Sequence, residues 1–328
     1  MRVPEQRHSI LDQREWSLVI LIVLVTLVVS WVDSGFLAAG NLKDILVRCA
    51  PTAIVCCGVM LVIVTGEIDI SVGSLMALLA AIMGKLMSVD HAQLPWGLAA
   101  VLTLLAGACV GTVTGALVAW GSVPSIIVTL GLLTSFRGLS TLLMGGENIA
   151  GLPPSLTELA KQGPGGVPLG VWVALAVIGV QYVLIRHTAL GRRLFAVGSS
   201  QYASVMTGLS TRRLKLFAFA YTGFLTALAT LVEVPRLPMI EAGIGREFEL
   251  LVVTCVVVGG VSIAGGRGTL WGVLLAVLLM TMIRPVLTFL ELGEAGEKWT
   301  KAIQGAFILT AVVSDSLFRR RSRTEAEK

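Results

Sequence analysis

The chain has 328 residues, 55% of them hydrophobic and only 14% charged, and a mean hydropathy of +0.87. Soluble domains run near 25% charged, so these proportions exclude a soluble fold of this size, and the lack of repeated alternating segments of about ten residues excludes a transmembrane β-barrel. The net charge of +5 reads as membrane topology and not as nucleic-acid binding, because the basic residues sit in short loops and tails.

A bilayer-spanning helix needs about 20 apolar residues. The apolar runs predict an all-α polytopic membrane protein with about ten spans, over residues 16–32, 45–65, 72–87, 94–120, 125–144, 169–185, 214–232, 250–264, 269–290 and 300–318. The first run is long, follows a charged stretch and lacks a small-residue cleavage site, so it reads as a retained helix. Arg2, Arg7 and Arg14 precede it, Arg192, Arg193, Arg212, Arg213 and Lys215 follow the sixth span, and Arg319, Arg320, Arg321 and Arg323 follow the last. Even numbers of spans separate these clusters, which places all three on one side, expected to be cytoplasmic. The expected organisation is one permease domain over 1–328, with cytoplasmic segments at 1–15, 187–213 and 319–328. Residues 145–168 and 235–247 are expected as loops on the opposite side, where an external partner would dock.

The stretch over residues 66–74, Gly-Glu-Ile-Asp-Ile-Ser-Val-Gly-Ser, interrupts the helical pattern. Glu67, Asp69 and Ser71 alternate with Ile68, Ile70 and Val72, a period of two that suits extended backbone. Ionisable groups next to membrane spans are costly enough to need a reason. One reading is a discontinuous helix whose polar groups line a solute path, with Glu67, Asp69, Ser71, Ser74, Ser125 and Thr129 as candidates. The other is a turn in which Asp69 or Ser71 caps the third span. Residues 64–74 also align with 257–267, with glycines at 66/259 and 73/266, and this pattern is compatible with a parallel internal repeat.

Tyr202, Val205, Met206 and Leu209 recur at helical spacing, which predicts a short amphipathic helix over 201–209 ended at Gly208. It fits docking into a groove of a partner or lying on the bilayer. Gly259, Gly260, Gly265, Gly266 and Gly268, with Gly66 and Gly73, suit helix breaks and close packing. No Gly-Lys-Ser/Thr follows them, so the chain itself is not expected to bind ATP. Arg137 lies inside a span and must find a partner or water, and Arg284, near a span end, can snorkel. The five cysteines and three histidines show no metal-site spacing, and no catalytic pair is evident.

Residues 66–74 resemble the signature of ribose-type permeases, the membrane subunits of ATP-binding-cassette importers for monosaccharides. The resemblance continues in residues 123–131, Arg137-Gly138, Gly145-Gly146, Leu190-Gly191-Arg192, residues 195–198, Gly259-Gly260 and residues 265–268. It implies a fold of the vitamin-B12-permease type in a bacterial inner membrane and a core of two permease copies or sister permeases. It also implies a cytoplasmic ATPase that binds the ATP, a periplasmic sugar-binding protein, and a coupling site formed by Gly191, Arg192, Ala203, Thr207, Gly208 and Leu209. Glu67, Ser199-Ser200, Trp271 and Arg284-Pro285 depart from the family's usual residues. Two rival readings are a branched-chain amino acid permease of the same class and an ion-coupled transporter using Glu67 and Asp69.

Overall fold

The computed structural model describes residues 13–121, 123–161, 163–291, 296, 298–310 and 313. The predicted segment 1–15 apart from residues 13–15, and the segment 319–328 with its arginines, lie outside them. The described chain is helical: α1 Gln13–Val32, α2 Ala39–Val64, α3 Val72–Met87, α4 Trp96–Gly121, α5 Ser125–Met144, α6 Pro154–Lys161, α7 Leu169–His187, α8 Ala189–Ser199, α9 Gln201–Met206, α10 Thr211–Glu233, α11 Phe248–Val258 and α12 Leu270–Phe289. A further helical stretch covers 298–310. Among the described residues the β pairing is a single antiparallel bridge, Ile149 with Ile240.

Seven of these helices are long and apolar enough to cross a membrane. The spans expected over 72–87 and 250–264 behave differently. α3 has 16 residues and α11 has 11, which at 1.5 Å per residue gives about 24 and 16 Å, short of a core about 30 Å thick. Each is preceded by a non-helical segment that re-enters the bundle, so these two expected spans are half-helices.

The arginines of α8 and the start of α10 mark one end of the bundle, called here the basic end. α2 and α7 run to it, and α4 and α10 lie antiparallel. Gly107, Gly111 and Gly115 on α4 face Phe219, Gly223 and Leu216 on α10. A Cβ at Gly107 would lie 2.5 Å from the Gly223 carbonyl oxygen, and one at Gly111 would lie 2.5 Å from that of Phe219. Without side chains at these positions the two backbones approach closely, which is how helices gain contact in lipid, where no hydrophobic effect drives them together. α2 forms the core: every residue from Ala50 to Val64 is buried. Four cysteines lie on inward faces, at positions 49, 56, 57 and 255, while Cys109 is exposed on α4.

α2 contains Pro51, which has no N–H to offer the carbonyl of Val47 four residues earlier. Arg236, just past α10, donates to that carbonyl (3.2 Å) and to Glu233 Oε2 (2.8 Å). The helix break is thereby satisfied from a neighbouring element, as a low-dielectric setting requires.

Candidate functional site: two re-entrant segments and a polar cavity

Residues 65–71 leave α2 at the basic end and climb back into the bundle. Gly66 turns the chain with φ +84°, and residues 67–71 are non-helical. Glu67 stays at the basic end, where its Oε1 lies 2.5 Å from Lys215 Nζ in the first turns of α10. The same ammonium donates to Gln201 Oε1 at the start of α9 (3.3 Å).

Unpaired backbone groups at this depth need partners, and α5 provides them. Ile68 N–H donates to Ser125 Oγ (3.0 Å), and Thr129 Oγ1 donates to the Ile68 carbonyl (3.3 Å). Asp69 is buried, and its Oδ1 accepts from both Ser71 N–H (2.9 Å) and Ser71 Oγ (2.7 Å). Ser74 Oγ in turn donates to the Ser71 carbonyl (2.8 Å). These contacts form an Asx-type turn at the mouth of α3. All six residues considered for a solute path therefore hold or adjoin the re-entrant backbone, and none of them lines the cavity described below.

The segment over 237–247, expected to remain outside the bundle, enters from the opposite end. Ile240 packs over Gly84 near the far end of α3, whereas the Gly245 carbonyl lies against Gly73 in α3's first turn. Those eleven helical residues correspond to about 16 Å of descent. A Cβ at Gly73 would sit 2.6 Å from Gly245 O and 2.9 Å from Glu249 N, and the Glu249 carboxylate rests against the same position. Its Oε2 is buried there without a hydrogen-bond partner among the described residues. Arg137 on α5 holds the bottom of the descent, donating to the carbonyls of Ile244 (2.7 Å) and Gly245 (3.0 Å). The arginine left without a partner in the sequence is thus the anchor of the second re-entrant segment.

The stretches 64–74 and 257–267 share direction but not shape. Residues 67–71 are non-helical and end in the Asp69–Ser71 turn, while 262–267 fold back, closed by Ser262 N–H to the Arg267 carbonyl (3.0 Å). They meet at the basic end: Gly266 N–H donates to the Val64 carbonyl (2.9 Å), Gly265 lies against Gly66, and Gly198 of α8 packs onto both. Gly259 lies against Val273, with 2.5 Å from its would-be Cβ to Val273 Cα, while Gly260 and Gly268 take positive φ values. Backbone on backbone at this joint explains the density of glycine.

The predicted helix over 201–209 is shorter than expected, ending at Met206, with Gly208 in the left-handed region at φ +79°. Leu209 N–H closes the turn on the Ser204 carbonyl (3.0 Å). Tyr202, Val205 and Met206 are exposed by 75%, 54% and 67%, and Ala203, Thr207 and Arg192 are exposed beside them, while Leu209 is half-buried. Gly191 is buried against the last turn of α7, fixing α8. Three apolar side chains on a six-residue helix thus form an uncovered patch at the basic end.

A cavity of about 530 Å³ opens between α2, α12, the end of α10, the 237–248 segment and the helix over 300–304. It falls in the range of ligand sites, about 300–1,000 Å³. Its lining reaches Met76 of α3 and Leu251 of α11 and includes none of residues 64–67, 198 or 262–268 at the basic end. Arg48 and Arg284, the latter expected to snorkel, both line it. Sequence reading did not assemble this site, although Arg48 and Arg284 inside apolar helices, like Arg137, were its signal.

Comparison with known proteins follows this geometry. The chain matches the family described as "Branched-chain amino acid transport system / permease component" over residues 41–312. It belongs to that permease family. It is 32% identical over 311 residues to the ribose import permease protein RbsC of Haemophilus influenzae, covering 94% of both chains. It is 33% identical over 304 residues to RbsC of Escherichia coli K12, covering 92% of both. The autoinducer 2 import system permease protein LsrC of Escherichia coli (strain HS) is 31% identical over 308 residues, 94% of this chain and 88% of the relative. No solved structure matches. As a member of this family with seven long apolar helices, the permease is a multi-pass membrane protein.

Proposed function

We propose that this permease is the membrane subunit of an ATP-driven importer for a monosaccharide or sugar-like solute, working with a separate ATPase and an extracytoplasmic binding protein. The carrying observation is the end-to-end likeness to ribose import permeases, combined with a cavity that reaches the first turns of the half-helices α3 and α11. The basic end faces the cytoplasm of a bacterial inner membrane, and Tyr202, Val205 and Met206 insert into the ATPase, with Gly191, Arg192, Ala203, Thr207, Gly208 and Leu209 shaping that contact. Two copies or sister permeases complete the core. The two ribose import permeases named above favour this reading over the amino acid permease that shares the family description. Glu67 is paired with Lys215 and Asp69 is engaged by Ser71, so neither carboxylate is free to act as an ion-coupling site.

The test is reconstitution into proteoliposomes. Uptake that needs ATPase, binding protein and ATP together supports the proposal, whereas uptake by the purified chain under a proton or sodium gradient refutes it. Gly208→Val, forced into an unfavourable φ, is expected to abolish ATP-dependent uptake while the assembled protein elutes normally.

A further inference from the structure

Resting on the importer reading above, we infer that the solute carried through this cavity is anionic, a sugar bearing a carboxylate or phosphate, and that Arg48 and Arg284 are its charge-reading residues. Two ion pairs sit in the lining, Arg236 with Glu233 (2.8 Å) and Lys301 with Glu247 (3.0 Å). Beyond these pairs the lining holds three arginines, Arg48, Arg246 and Arg284, against one carboxylate, Glu241. The side chains of Arg48 and Arg284 have no hydrogen-bond or ion-pair partner among the described residues.

Both stand on apolar helices. Arg48 is nine residues into α2 and Arg284 five residues before the end of α12, which at 1.5 Å per residue is about 14 and 8 Å inside the helix ends. Both residues are exposed, so their guanidiniums are open to a solute that enters the cavity. The two helices present them to the same space: Arg48, Pro51 and Thr52 from α2 face Met280, Thr281 and Arg284 from α12. Two unpaired guanidiniums on facing walls of one cavity offer forked donors that suit carboxylate or phosphate oxygens. A neutral pentose needs hydroxyl and amide partners and gains nothing from this excess of charge. Arg236 is excluded from the reading set because Glu233 and the Val47 carbonyl already occupy it.

The experiment measures ATP-dependent uptake by proteoliposomes containing the permease, its ATPase and its binding protein. The probes are a matched panel of aldoses (ribose, galactose), aldonates and uronates (ribonate, galacturonate) and a sugar phosphate (ribose 5-phosphate), with leucine as control. Transport confined to, or fastest by kcat/KM for, the anionic members is expected. Arg48→Gln and Arg284→Asn should each lower that value roughly ten- to a hundredfold, the loss of one charge-assisted contact, while Arg284→Lys retains most of it. Highest kcat/KM for an uncharged aldose overturns the inference and leaves the importer reading standing. Uptake of leucine and of no sugar refutes the importer reading itself. Acidic side chains of the binding protein are the other ligand for these arginines. In that case the variants weaken docking of the binding protein equally for every solute, and the inference is overturned.

Discussion

Removing the Arg137 guanidinium should release the bottom of the 237–247 segment. Its two hydrogen bonds to the Ile244 and Gly245 carbonyls, at 2.7 and 3.0 Å, involve a charged donor, and such bonds contribute about 1.5–3 kcal/mol each. The side chain is only half-buried, so the lower figure applies, about 3 kcal/mol for the pair. Arg137→Met leaves both carbonyls unpaired about 16 Å inside the bundle. Arg137→Lys, a compact charge without the fork, recovers one of them and about half the energy. Amide hydrogen exchange in nanodiscs reads this directly. Residues 240–248 of Arg137→Met should exchange about a hundredfold faster than the parent, since 1.4 kcal/mol is one decade, with Arg137→Lys in between. The α4–α10 contact should keep its protection. Unchanged exchange over 240–248, or acceleration spread equally over the whole bundle, would refute the anchoring role.

Three other substitutions probe the frame. Gly223→Leu places a side chain where a Cβ already meets Gly111 Cα at 2.7 Å. Overpacking of this kind costs about 1–3 kcal/mol, visible as a lowered melting temperature in detergent, and an unaltered melting point would contradict the close α4–α10 approach. Asp69→Asn preserves the Oδ1 that accepts from Ser71 and should leave assembly and uptake near normal, while Asp69→Ala should lose about 1 kcal/mol of stability, as lost caps do. Abolished uptake in a well-assembled Asp69→Asn protein would instead indicate direct contact with the solute. Glu67→Ala, Lys215→Met and their double variant form a thermodynamic cycle. With both side chains mostly buried, the coupling energy should be about 1–2 kcal/mol, between values typical of surface and buried pairs, and strict additivity would show that the pair contributes nothing.

The long helices were legible because lipid-facing sequence has few ways to satisfy its backbone. The predicted spans 72–87 and 125–144 coincide with α3 and α5, since a serine or proline before the run and a glycine or serine after it mark where the helix geometry starts and stops. The descent of residues 237–247 was not legible. Its composition of glycine, proline and charge is that of an ordinary outer loop, and what draws it inward is Arg137, 107 residues away in sequence from the carbonyl it binds. The α4–α10 seam was written plainly as glycines at 107, 111 and 115, a spacing of four that places them on one helix face. Its partner was not legible, because α10 contributes a single glycine, Gly223, to the seam. The cavity depends on α2 and α12 meeting, and no periodicity within one helix specifies which other helix its arginines will face.

Residues 66–74 take on a different meaning once both of their ends are located. At the lower end Glu67 is bound to Lys215, which also holds Gln201 on α9, so the segment is tied to the helix carrying the exposed apolar patch. At the upper end Gly73 abuts Gly245 and Glu249 beside the cavity floor, where Met76 forms part of the lining. Five non-helical residues link the two, clamped laterally at Ile68 by Ser125 and Thr129. Glu67 ties this segment to α10 and α9, Asp69 shapes its turn into α3, and neither carboxylate lines the cavity, which Arg48 and Arg284 do.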